Sequence, residues 1–175
     1  GLPIEAYWID AGWYGDDNLG EWVHNTGNWY PSPTRFPNGL LPLSEALHAG
    51  GIDFGVWIEP ERVMPGTDIY NNHPDWLLAP VGLPSGLEYQ RDWRLLNLGN
   101  PEALEWAIEY VSSVIEELDL TIYRQDFNMH PLYYWNSADA PDRRGITQIR
   151  HVEGLYAFWD ALRERHPDLL IDNCA

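Results

Sequence analysis

Residues 95–128, LLNLGNPEALEWAIEYVSSVIEELDLTIYRQDFN, decide the fold. Leu95 to Leu98 is a short extended apolar piece. Asn100-Pro101-Glu102 then opens a helix: the Asn side chain can cap a free N–H, Pro gives up an N–H that would lack a partner, and the acid faces the positive end of the helix dipole. Leu104, Ile108, Val111, Ile115 and Leu118 follow three or four residues apart, so they share one helix face. Leu120 to Tyr123 is apolar again and reads as a strand. It ends in Arg124-Gln125-Asp126-Phe127-Asn128.

The same unit recurs in both directions. Upstream, residues 4–9 form a short apolar run broken by Asp10-Ala11-Gly12, which predicts a buried strand ending in a loop. Residues 13–40, rich in Gly, Pro, Asn and Trp, predict a long loop, and loops of that length are usually functional. Leu43, Ala46 and Leu47 give a short helix stopped by Gly50-Gly51. Ile52 to Ile58 is a second strand, ending at Glu59-Pro60-Glu61, and an irregular stretch runs on to about residue 93. Downstream, a loop with Pro131, Pro141 and Gly145 leads to a helix from about Thr147 to Arg165. Ile149, Val152, Tyr156, Trp159 and Leu162 mark its expected inner face, and Leu169 to Ile171 opens a fourth strand.

Strands alternating with amphipathic helices imply parallel βαβ units. The predicted fold class is α/β, a partial TIM (β/α)8 barrel. In such a barrel the chemistry lies at the strands' C-terminal ends. Polar and aromatic residues collect there: Asp10, Trp57 with Glu59 and Glu61, Asp126 with Asn128, and Asp172 with Cys174. A doubly wound open sheet is the runner-up architecture. It usually carries a glycine-rich phosphate turn, and neither GxGxxG nor GxxxxGK[ST] occurs here.

The 175 residues fall short of the roughly 250 of a complete barrel. Gly1 is not an initiator Met, and Asp172-Asn173-Cys174-Ala175 follows an apolar run with no polar tail. The expectation is one partial catalytic barrel domain over residues 1–175, truncated at both ends. Half a barrel leaves two strand edges open, so the isolated chain is expected to be inactive and poorly stable. The lone Cys174 cannot form an intrachain disulfide, and no Cys/His cluster has zinc-finger spacing. No run approaches about 18 consecutive apolar residues.

A net charge of -17 and a pI near 4.4 argue against nucleic acid or an anionic membrane surface as partner. Carboxylates accept hydrogen bonds from sugar hydroxyls without opposing a ligand charge. Ten Trp and ten Tyr point to the same class of ligand, since flat aromatic faces pack on the C–H faces of sugars; many of these rings belong to the core in any case.

Asp126 follows an apolar strand and lies between Arg124 and Asn128, where a neighbouring cation would keep a carboxylate ionised and able to attack an anomeric carbon. From spacing alone a turn cap or a pair with Arg124 is the commoner role for such an Asp. Trp57 to Val63 offers an aromatic platform with two carboxylates, or else a Glu–Arg surface pair beside a core Trp. Asp10 either accepts from sugar hydroxyls or stabilises the turn at Gly12. Cys174 is more often a small buried residue than a ligand contact.

Taken in order, the motifs resemble the catalytic barrel of the family 36 glycoside hydrolases, the melibiase-type α-galactosidases. The matching blocks are Trp8 to Gly15, Arg35 to Leu40, Phe54 to Glu61, His73 to Trp76, Leu98 to Glu102, Tyr123 to Asn128 and Ile171 to Ala175. The resemblance implies barrel strands two to about five and a nucleophile at Asp126. It places Asp10, Trp57, Arg91, Arg124, Asn128 and Cys174 at substrate positions, Arg91 by counting back from Leu98; Glu59 is taken with them. It also implies an Asp acid/base on the sixth strand, beyond residue 175. Two departures stand out. The family's Asp-Asp-Gly-Trp strand end has Ala11 at its second Asp, and its Lys-Trp-Asp is Arg124-Gln125-Asp126, where Arg presents a planar fork instead of a point charge.

The implied reaction is retaining hydrolysis of terminal α-galactosides, with a carbohydrate substrate, no metal and no organic cofactor. A galactosyl transferase of the same superfamily and a non-catalytic sugar-binding barrel are the alternatives. A metal-dependent barrel lyase or isomerase fits less well, because the carboxylates lie among Trp and Arg with no His ligand in place. Oligomerisation is open for a longer parent protein, and nothing in the residues indicates a compartment.

Overall fold

The computed structural model of the chain describes residues 3–174, so Gly1, Leu2 and Ala175 lie outside the described residues. In chain order the elements are β1 (Ala6–Ile9), α1 (Leu41–Ala49), β2 (Asp53–Ile58), β3 (Arg62–Val63), α2 (Asp68–Asn72), β4 (Leu77–Leu78), β5 (Arg94–Leu96), α3 (Pro101–Glu117), β6 (Ile122–Gln125), α4 (Leu132–Ala138), α5 (Ile146–Arg165) and β7 (Leu170–Asn173). Four strands form one parallel sheet in the order β1-β2-β6-β7. This is the predicted α/β arrangement, and the barrel is not closed. Each outer strand pairs on one side only among the described residues, and Tyr7, Trp8 and Leu170 on them are about half exposed.

Local chemistry explains the best-defined helix. Asn100 is extended, and its side chain accepts from the Glu102 N–H at 3.0 Å, with Pro101 at the first helical position. From α3, Ala103, Ala107, Ile108, Val111, Val114 and Ile115 are buried. They join Phe54, Val56 and Ile58 of β2, Tyr123 of β6, and Phe158 and Leu162 of α5 in one core. Alternation along β2 directs Phe54, Val56 and Ile58 to that core, whereas Gly55 and Trp57 face the other side.

Three expectations need correction. The stretch from Glu59 to residue 93 is not irregular throughout: it contains α2 and the strands β3 and β4, which flank β5 in a small antiparallel sheet of order β3-β5-β4 and, at two residues each, are too short for alternation to register. The loop around Pro131 holds α4, which is too short to show a helical period.

The inner face of α5 is also displaced by roughly a third of a turn. Its buried residues are His151, Gly154, Phe158 and Leu162, while Ile149 and Tyr156 are more than half exposed. A buried His and a Gly conceal that face from a pattern that counts only apolar side chains.

Gly154 is required by the way α5 crosses the end of β5. A methyl group there would lie 2.7 Å from the Leu98 carbonyl carbon, with the carbonyl oxygen closer still. Backbone cannot step aside as a flexible side chain can. Gly154→Ala is therefore expected to lower stability by about 1–3 kcal/mol through overpacking, despite the roughly 1 kcal/mol of helix propensity that Ala would contribute. Chemical denaturation of the full-length protein checks the direction.

Candidate active site

The register of the parallel sheet brings the strand ends together. Trp57 is level with Arg124, and Arg124 with Asp172, across three adjacent strands. Asp126 follows β6, and its N–H continues the ladder by donating to the Ile58 carbonyl at 3.1 Å. Its carboxylate is held by donors on both oxygens. The Phe127 N–H reaches Oδ1 at 2.8 Å, while Trp57 Nε1 and Asn128 Nδ2 reach Oδ2 at 2.9 and 2.8 Å. The Cys174 side chain adds a further bond, and its own N–H donates to the Gln125 carbonyl at 2.9 Å. Partial burial pushes the Asp126 pKa up, but the bonds from Asn128, Trp57, Phe127 and Cys174 outweigh it, and the net displacement is downward. A carboxylate so placed is ionised at neutral pH and partly open to solvent.

Arg124, expected beside Asp126, turns to the next strand. Its Nη1 meets Asp172 Oδ2 at 2.6 Å, and its guanidinium lies 6.0 Å from the Trp8 ring centroid. Gly55 lies opposite Trp8 in the register, and a side chain at 55 would run into Ile122 at 2.7 Å. A pairing of Asp126 with Arg124 is thus not what the structure contains.

Trp57 is not the open aromatic platform that its position suggests. It is 4% exposed, with Tyr14 stacked on it at 6.0 Å and Trp22 and Trp29 against it edge-on or tilted. What it offers the site is its indole N–H. The exposed indoles nearby are Trp22, at 39%, and Trp8, at 47%. Neither was singled out, because a Trp inside a Gly-rich loop or at mid-strand carries no local mark of what it will face.

Glu59 corrects a second expectation. It is completely buried, paired with Arg62 Nη2 at 2.8 Å, and it accepts from the Asn128 N–H at 2.6 Å and Asn128 Nδ2 at 3.2 Å. Burial raises its pKa, opposed by Arg62 and by the Asn128 bonds. It has no surface open to a ligand.

Glu61 and Arg62 are likewise no surface pair. Glu61 faces the helix side, where His151 Nε2 meets it at 2.8 Å and Gln125 Nε2 donates at 3.3 Å. Gln125 Oε1 in turn accepts from Tyr123 and from Trp159 Nε1. The Gln at this position therefore serves the interface between strand and helix.

The remaining expected residues divide. Asp10 is exposed at the end of β1, with one oxygen accepting from the Ala11 N–H at 2.7 Å. Cys174 adjoins Asp126, as above. Arg91 lies exposed on a turn, where its charge acts on Glu88 of the same turn, and no hydrogen bond joins it to the Asp126 cluster.

The chain has known counterparts. The family model described as Melibiase matches residues 1–175. Alpha-galactosidase AgaA of Geobacillus stearothermophilus is 32% identical over 176 residues, covering 99% of this chain and 23% of the relative. Alpha-galactosidase C of Emericella nidulans is 34% identical over 188 residues, with the same coverage of 99% and 23%. Among solved structures, a variant of the Geobacillus family 36 enzyme AgaA in complex with stachyose superimposes with a TM-score of 0.79 at 31% identity, over 98% of this chain and 23% of that one. The chain thus spans about a quarter of the length of these relatives.

Proposed function

Since this chain belongs to the Melibiase family, we propose that it supplies the nucleophile and much of the sugar pocket of a retaining glycoside hydrolase acting on terminal α-galactosides. The observation that carries this reading is the Asp126 carboxylate, ionised at the end of a central parallel strand and held by Trp57, Asn128, Phe127 and Cys174. Asp10, Asn128, Arg124 and Cys174 are the proposed sugar contacts, with Arg91 a more distant one. Trp57 acts through its N–H on Asp126. Stachyose in the Geobacillus relative supports oligosaccharides of the raffinose type as substrates. Ala11 carries no acceptor, so this strand end grips one hydroxyl fewer than an Asp-Asp pair would.

The proposed reaction has two steps. An Asp126 oxygen attacks the anomeric carbon as the glycosidic C–O bond breaks, and a carboxylic acid protonates the departing oxygen. Water then attacks the same carbon from the opposite side, the bond to Asp126 breaks, and the acid, now a base, takes up the water's proton. We place that acid/base on the following barrel strand, beyond residue 175. Residues 1–175 are read as about four strands of a (β/α)8 domain in a longer protein, a reading supported by the open four-stranded sheet and the partial coverage of relatives. Proton NMR of the first sugar released by the full-length protein tests the stereochemistry. The α-anomer of galactose is expected before mutarotation; initial release of the β-anomer would overturn the mechanism.

A further inference from the structure

Glu59 is a fully buried carboxylate directly behind the site, and the reaction described above gives it no part. It is bonded to the Asn128 backbone N–H and Nδ2, and Asn128 Nδ2 is bonded to Asp126 Oδ2. One side-chain NH2 group therefore spans two carboxylates, one hydrogen for each. We infer that Glu59 is a positioning residue for the nucleophile: its buried charge fixes which end of the Asn128 amide faces Asp126. This rests on Asp126 being the nucleophile.

The physical reason lies in the donor and acceptor inventory. An amide presents two hydrogens from nitrogen at one end and two lone pairs at the other. With carboxylate oxygens on both sides, only the nitrogen end satisfies both contacts; the flipped amide would set its carbonyl oxygen against two anions. The rear carboxylate is itself immobilised. Arg62, 4% exposed, holds it at 2.8 Å, and the Arg62 guanidinium lies 4.7 Å from the Trp93 ring centroid. The run from Trp57 to Arg62 thus serves as a backing plate for the nucleophile. Trp57 donates to Asp126 from one side, and Glu59 directs a second donor to the same oxygen from the other.

Gln at position 59 would keep the shape but present an NH2 group either to the Asn128 backbone N–H, at the place of Oε1, or to Arg62 and Asn128 Nδ2 together, at the place of Oε2. The first displaces the backbone at Asn128; the second is relieved for Asn128 by flipping its amide, which costs Asp126 one bond and sets an oxygen against it. In the full-length protein, Glu59→Gln is expected to lower kcat by about 10- to 100-fold, the scale of a small misplacement of a reacting group. KM should rise by much less than kcat falls, since only the Asn128 contact with the sugar is altered in the ground state while the nucleophile loses its alignment in the transition state. Because the effect passes through Asn128, adding Glu59→Gln to Asn128→Ala should cost less than about twofold more.

A normal kcat for Glu59→Gln overturns the inference. So does a loss carried wholly by KM, which would mean direct sugar contact, and so do losses that multiply in the double variant. If Glu59→Gln fails to fold with Arg62 left unpaired, the same cycle is run on Arg62→Met, where no buried cation remains. Asp126→Ala separates the two claims. Full activity there would sink the nucleophile itself, whereas an inactive Asp126→Ala alongside a normal Glu59→Gln would sink only the role of Glu59.

Discussion

Asp126→Ala in the full-length protein is expected to lower kcat by about 10,000-fold or more, the scale on which loss of a covalent nucleophile is felt. Asp126→Asn should fall as far, because the amide keeps the volume but not the negative charge. Azide should restore part of the activity of the Ala variant alone, since a small anion can occupy the vacated space and attack the anomeric carbon, giving a β-galactosyl azide. Near-normal turnover by either variant would remove Asp126 from the mechanism. The expectation draws on the structure as well as the position. Four donors surround this carboxylate and outweigh its partial burial, so it is the ionised form that is ready for attack. The folded-state pKa is depressed, so the negative charge persists through the neutral range and is lost only as pH falls through the lowered value.

His151→Leu is expected to cost about 3–5 kcal/mol of stability, because it strips the closest donor from a buried carboxylate. Glu61 is 3% exposed and His151 1%; with the imidazole gone, only the Gln125 contact at 3.3 Å remains. That loss is a large share of the 5–15 kcal/mol of a typical domain. The pair also clamps α5 to the turn between β2 and β3, where Glu61 accepts from Gln125, the last residue of β6 before Asp126, so activity should fall along with stability. Adding Glu61→Met to His151→Leu is expected to recover most of the stability, since replacing both buried partners by apolar groups leaves no carboxylate stranded. Denaturant melts of the single and double variants decide the point: equal stability of His151→Leu and the parent would show that the contact is idle.

Much of the architecture was legible in local chemistry. The helix start at Asn100 could be read from three residues, because a cap, a Pro and an acid act on backbone groups within one turn. The βαβ alternation placed Asp10, Asp126 and Cys174 at strand ends, and the sheet order brings those ends to one side. The inner face of α5 was not legible, since His151 and Gly154 are buried there for a carboxylate partner and a close approach that belong to other elements. The two-residue strands β3 and β4 also escaped, being shorter than the period that would reveal them, whereas β5 overlaps the extended piece read at Leu95 to Leu98.

The sequence by itself therefore determined the class of fold, the strand end that carries the candidate nucleophile and the family to which these motifs belong. Only the tertiary structure decided the part each neighbour plays: Trp57 as a buried donor, Glu59 as a support behind Asn128, Arg124 as the partner of Asp172, and Glu61 as the anchor of α5. The reason is the range of the interactions. Caps and periodic faces join residues one to four apart, and any reader of the chain can count them. The bonds that define this site join residues 69 apart for Trp57 with Asp126 and 90 apart for Glu61 with His151. A buried carboxylate and an exposed one look alike until the chain has folded around them.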